Sequence, residues 1–218
     1  MDLRLYPFGA LVIFLILFTS CARFPRIVVL EDPLTAEEHI QLGVIYEGQK
    51  KYDLAIKEYR LALKKNPNLN QARVNLGNAL MAKKEYGEAE KAYRQALAAE
   101  PENADILNNL AWLYLEKRER LSEAEVLARR ALELKSSSRM YYLDTLGMAL
   151  LLQGQPLEAE KAFLQALEAM PEKEKSLKAE VYCHLALVYQ ALGKQKELEE
   201  AMEQIRALDL EGYAEKAN

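Results

Sequence analysis

Apolar residues fall along this chain in two regimes. Leu5 to Phe18 is a short apolar run broken only by Pro7 and Gly9. It falls short of the roughly 20 apolar residues that a membrane-spanning helix requires. From Ala36 onward the pattern changes to helical spacing, and the whole pattern returns every 34 residues. The first copy holds LGVIYEGQKKYDLAIKEYRLALKKNP and the second LGNALMAKKEYGEAEKAYRQALAAEP. Both carry Leu-Gly, an Ala twelve residues past that Gly, an aromatic four further on, an Ala three later and a Pro five later. Five copies fit, near 36–69, 70–103, 104–139, 140–173 and 179–210.

The recurring residue types predict how the copies pack. Gly43, Gly77, Ala111, Gly147 and Ala186 lie midway along each first helix, and Ala55, Ala89, Ala124 and Ala159 sit in the second helices. Small side chains there let paired helices approach closely. Leu42, Leu76, Leu110, Leu146 and Leu185 fill the seam, and Tyr59, Tyr93 and Phe163 are expected to plug the gap to the next unit. Tyr46, Tyr114 and Tyr189 fall one turn beyond the small residue, on the buried face. Pro67, Pro101 and Pro171 close units one, two and four. Thr35 with Glu38 forms a capping-box pattern, and Pro156 suits the first turn of a helix.

Unit three departs from the pattern. It has one extra residue between its helices and Ala128 where the aromatic belongs, which predicts looser packing against unit four. A charged stretch, Glu172 to Lys178, reads as a spacer before unit five. The last helix turns Lys196, Glu199, Glu200, Glu203 and Arg206 outward, as a terminal capping helix must.

This spacing resembles the tetratricopeptide repeat (TPR), a helix-turn-helix unit. The resemblance covers residues 35–210 and implies an all-α, right-handed superhelical solenoid of about five units. No single unit buries its apolar face alone, so stacking supplies the core.

The head of the chain reads as an export signal. Arg4 precedes the apolar run, and Thr19 and Ser20 follow it before Cys21. Phe18-Thr19-Ser20-Cys21 resembles a bacterial lipobox, which implies a signal peptide over 1–20 and a lipid on Cys21. The alternative is an ordinary secretory signal with an incidental cysteine. In lipoproteins an Asp after the lipidated residue holds the protein in the inner membrane. Ala22 stands there instead, which implies the outer membrane, facing the periplasm. Residues 21–34 form the tether; Ile27 to Leu30 either packs on the edge of the first unit or lies at the membrane. The tail 211–218 is small and polar.

Composition narrows the chemistry. The net charge of −4 offers no basic excess for nucleic acid. A lipidated Cys21 cannot pair with Cys183, the only other cysteine. No phosphate loop, HExxH, CxxC or GxSxG occurs, so no catalytic residue, metal site or cofactor is expected. His39 reads as part of a solvated first turn, with no second His at ligand spacing. Cys183 and His184 are adjacent and point about 100° apart on a helix, a poor nucleophile–base pair.

What remains is a surface. In tetratricopeptide repeats the first helices line the concave face, which binds a peptide or extended segment. The resemblance places there Val44, Val74, Asn75, Asn78, Met81, Asp105, Asn108, Asn109, Trp112, Tyr141, Asp144, Met148 and Leu151. Trp112 is either a contact or a filler between units three and four. The inward positions include Glu37, Glu47, Asp105, Glu116, Asp144 and Glu180 but no Lys or Arg. That departs from family members that hold an acidic C-terminus. It predicts a partner segment that is apolar with flanking Lys or Arg. The expected function is a lipid-anchored scaffold in an envelope assembly of pilus, outer-membrane or peptidoglycan type. A second reading comes from LEDPLTAEEHIQLGVIYE, which resembles repeat units of bacterial papain-like peptidases and implies an accessory to such an enzyme.

Overall fold

The structure is a computed structural model and describes residues 32–134, 136–171 and 173–208. The signal segment, Cys21, Ile27 to Leu30 and the tail 211–218 lie outside the described residues. The described residues hold ten α-helices, paired into five units. They are α1 (Ala36–Gly48) with α2 (Tyr52–Lys65), α3 (Asn70–Ala82) with α4 (Tyr86–Ala99), α5 (Ala104–Lys117) with α6 (Leu121–Glu133), α7 (Arg139–Leu152) with α8 (Pro156–Ala169), and α9 (Lys175–Leu192) with α10 (Gln195–Ala207). The array is an all-α solenoid of helical repeats. None of the described helices is long and apolar enough to cross a membrane.

Local chemistry sets where the helices start and turn. Thr35 Oγ1 accepts from the Glu38 N–H at 3.1 Å, and the Thr35 N–H donates to Glu38 Oε2 at 2.7 Å, which completes the capping box. Asn103 caps α5 by accepting from the N–H groups of Asp105 and Ile106. Every turn within a unit has a left-handed residue at the same place: Lys50, Lys84, Arg118, Gly154 and Gly193. Unit three absorbs its extra residue with a second such position, Arg120, at φ 54°. The charged stretch Glu172 to Lys178 gives its last four residues to α9, which runs 18 residues.

Within each unit a ring from the second helix lies on the small residue of the first. A Cβ on Gly43 would fall 2.4 Å from Tyr59, and one on Gly147 would fall 2.5 Å from Phe163. The rings expected to plug the gap to the next unit are thus seated first in their own unit. Phe163 does both, since its ring also lies 5.4 Å from the ring of His184 in unit five. Unit three pairs Ala111 with Ala128, both fully buried, so the missing ring leaves no glycine gap to fill.

The expected looseness between units three and four is not found. Tyr142 of α7, 1% exposed, packs with Ala104, Leu107 and Ala131. Its hydroxyl donates to Asp105 Oδ1 at 2.6 Å and meets Ser136 Oγ at 2.9 Å. A large ring contributed by the following unit does there what Ala128 does not.

His39 also corrects the sequence reading. It is 1% exposed, and its Nδ1 lies 2.7 Å from Glu58 Oε2 in α2. One turn of α1 faces α2 rather than water, so the imidazole joins the two helices. The outward face of α10 is exposed at Lys196, Glu199, Glu200, Glu203 and Arg206, as a terminal helix requires.

Candidate functional site

The layering of the helices decides where a partner can lie. The first helices α1, α3, α5 and α7 each touch the first helix of the next unit, α3, α5, α7 and α9. Second helices do not approach one another closely among the described residues. The layer whose members touch has the shorter path, so the first helices form the inside of the curve.

Between α3 and α5 the inner face opens into a pocket of about 430 Å³. Asn78, Met81, Asn108, Asn109 and Trp112 line it, with Tyr86 at the start of α4 and Glu116 and Lys84 also on its wall. These residues share a face because each helix presents positions one turn apart on the same side. Five of the candidates from the sequence therefore meet in one place.

The amides form a linked set. Asn78 Oδ1 accepts from the Tyr93 hydroxyl at 2.8 Å and from Asn109 Nδ2 at 3.2 Å. The second bond joins unit two to unit three. Asn75, on the same helix, accepts from Gln71 Nε2 at 2.7 Å. Asn108 Oδ1 is shut from solvent and accepts no hydrogen bond. Leaving a buried acceptor unmatched costs about 1–3 kcal/mol.

Trp112 faces unit two. It is half-buried, packs on the core at its base and lines the pocket with its remainder.

The other candidates lie apart from the pocket. Val44 is 51% exposed on α1 and Tyr141 41% exposed on α7, while Val74, Met148 and Leu151 are half-buried. Asp105 is exposed and accepts from Tyr142. Asp144 is not part of an acidic rim. It is 5% exposed, and His184 Nδ1 lies 2.8 Å from its Oδ1. Burial disfavours the charged imidazole, but the bonded Asp144 carboxylate outweighs it, with Glu180 adding, and the His184 pKa is raised. A stretch of 40 residues separates the pair, so no local pattern in the sequence announces it.

A second contact was equally hidden. Tyr114, fully buried, lies under the guanidinium groups of Arg94 and Arg120, 6.0 and 5.3 Å from its ring centre. Its hydroxyl also meets Glu90 Oε1 at 3.1 Å. Arg94 comes from unit two, so this cluster holds units two and three together on the side away from the pocket. The turn with two left-handed residues is what lets Arg120 reach back.

The outer face offers a depression lined by Lys57, Arg60, Lys64 and Lys83. It is not an open cationic site. Lys83 is paired with Asp53 and Glu85, and Arg60 with Glu88. No group of three His, Cys, Asp or Glu side chains among the described residues could hold a metal. Cys183 is buried.

Three family models match, all of them described as tetratricopeptide repeat, at residues 36–69, 74–139 and 136–211. No curated protein matches the chain. Solved structures share the fold at low identity. PilF of Pseudomonas aeruginosa superposes with a TM-score of 0.69 at 22% identity, over 79% of this chain and 75% of that one. A thermophilic TPR protein of Thermus thermophilus gives 0.69 at 20%, over 84% and 98%. PilW, a type IV pilus biogenesis factor, gives 0.60 at 20%, over 83% and 96%.

Proposed function

Because the chain belongs to the tetratricopeptide repeat family, we propose that it is a protein-interaction scaffold that grips an extended partner segment on its inner face. Catalysis has no part in this reading. The observation that carries it is the pocket between units two and three. There a partly exposed Trp112 stands beside Asn78, Asn108 and Asn109. Side-chain amides can hydrogen-bond the main chain of any extended segment. Tryptophan is over-represented among residues that dominate binding energy. The remaining inner-face acids, Asp105 and Glu116 among them, favour a segment with Lys or Arg beside its apolar residues.

The scaffold works at the cell envelope, held by a lipid on Cys21 and facing the periplasm from the outer membrane. The layout of the first 21 residues supports this. The fold likeness to PilW, a type IV pilus biogenesis factor, makes the pilus machinery the first assembly to test. A photo-crosslinking residue at position 78 of the full chain, irradiated in intact cells and read by mass spectrometry, tests the reading. Capture of a defined envelope protein there, and not from position 98 on the outer face, supports it. Capture only from position 98 refutes it.

A further inference from the structure

We propose that the pocket between units two and three is built to take an arginine side chain of the bound segment, its guanidinium lying against the Trp112 ring and reaching the Glu116 carboxylate. This rests on the inner face being the partner-binding surface. The argument comes from what the pocket offers to a ligand. Trp112 and Tyr86 line the pocket, and a cation stacked on the face of either ring is attracted to it. Its polar lining holds the donors of Lys84 and of the asparagine amides, and two acceptors that no protein group uses. Glu116 is exposed, and Asn108 Oδ1 lacks any hydrogen-bond partner. A guanidinium carries five N–H donors and no acceptor, and it stacks flat on an indole. A small turn of the Asn108 amide would bring its unmatched oxygen to such a donor.

The competing occupants fit less well. A carboxylate can bond to Lys84 but is repelled by Glu116 and leaves the Asn108 Oδ1 acceptor unmatched. An aliphatic side chain would leave both unmatched and would draw nothing from the ring's charge distribution. Lysine brings the charge, but not the planar fork that can stack and bond together. Lys84 is the one cation on the lining. It sits on the turn after α3, is exposed, and has a flexible stem that can swing into water.

Trp112 is the only tryptophan in the chain, so its fluorescence reports this pocket alone. The test titrates the full chain, in mild detergent, with acetylated and amidated tripeptides Leu-Xaa-Leu. Xaa is arginine, its neutral isostere citrulline, norleucine or glutamate. The expected result is a saturable change in emission with arginine, at least fivefold weaker binding for citrulline and norleucine, and none for glutamate. Glu116→Gln should weaken the arginine peptide at least threefold with an unchanged melting temperature, and Lys84→Ala should tighten it. Equal binding of citrulline, norleucine or glutamate overturns the proposal, as does no saturable response to arginine. The crosslinking experiment separates this from the broader reading. If position 78 captures a partner while arginine gives no signal, only the arginine pocket falls. If Trp112 reports arginine while capture moves to the outer face, the inner-face reading falls and, with no segment there to supply the arginine, the proposal falls with it.

Discussion

The ring of Tyr93 occupies the space that a side chain on Gly77 would need: a Cβ built on Gly77 falls 2.5 Å from Tyr93 Cε1. Tyr93 is 2% exposed and donates its hydroxyl to Asn78, so the ring is held at both ends. The glycine, the ring and an amide of the inner-face pocket are thus one mechanical unit. Packing inside unit two fixes the position of a residue that a partner would touch.

Gly77→Ala should therefore destabilise the array by about 1–3 kcal/mol, the usual cost of forcing extra volume into a packed contact. Tyr93→Ala should cost about 3 kcal/mol or more through the cavity it leaves. The double substitution should cost less than the two added, because the alanine methyl enters the space the ring vacates. Gly87→Ala provides the control, since nothing lies within 4 Å of its Cβ. That change should raise stability by about 0.5–1 kcal/mol through helix propensity. Denaturant unfolding of the four variants measures all of this. A Gly77→Ala protein as stable as wild type would mean that the repeat register is wrong.

The bond between His184 and Asp144 makes the last unit sensitive to pH. The folded pKa of His184 is raised above its ordinary 6.5. Its contribution to stability is then fully present below that ordinary value and fades as pH rises through the folded one. The groups facing it are Asp144 from α7, Glu180 from its own helix and the uncharged ring of Phe163. The melting temperature of wild type relative to His184→Gln should fall as the pH is taken from 6 to 9. A constant difference across that range would show that the imidazole stays in one protonation state.

Binding should depend on Trp112 and on exposed acids of the inner face. Trp112→Ala should weaken partner capture by about 2 kcal/mol or more. Glu37→Lys together with Glu116→Lys, both exposed, should weaken it as well, and added salt should weaken the wild-type interaction. Asp144 is the wrong residue for such a reversal, because a buried Lys beside His184 would disturb the fold. Capture unchanged by the charge reversal would remove the acidic surface from the account.

Periodicity made much of this legible and distance hid the rest. Gly43, Gly77 and Gly147, with the ring that follows each, could be read because one spacing recurs within one unit. The Thr35–Glu38 cap could be read because three residues separate its partners. Asp144 with His184, and Tyr114 with Arg94, join different units, where helix period carries no information. The burial of His39 escaped for a related reason. Its neighbours Glu37 and Glu38 are exposed, and only the helix angle, not the local polarity, turns the imidazole toward Glu58. For Trp112 the sequence left two roles open, and the direction of the ring toward unit two needed coordinates.

The lipid anchor has its own test. Cys21→Ser should abolish acyl labelling and move the protein from membrane to soluble fractions. A single acyl chain binds only marginally while several anchor stably, so the shift should be large. Retained labelling in the variant would end the lipoprotein reading and leave the inner-face proposals untouched.

The contacts between neighbouring units are unequal on the two sides of the array. First helices meet directly, while the second helices are spanned by exposed ion pairs such as Arg60 with Glu88 and Arg94 with Glu123. Apolar contact has no charge to screen, whereas exposed pairs are weakened by dissolved ions. Each second helix also packs against the first helix of the next unit, so the ion pairs add to that contact the one part of the outer side that responds to the medium. Rising ionic strength relaxes those struts while the inner seam stays closed, and the array becomes more compliant about a fixed inner line. An array built this way changes its curvature more readily in salt water than in dilute buffer.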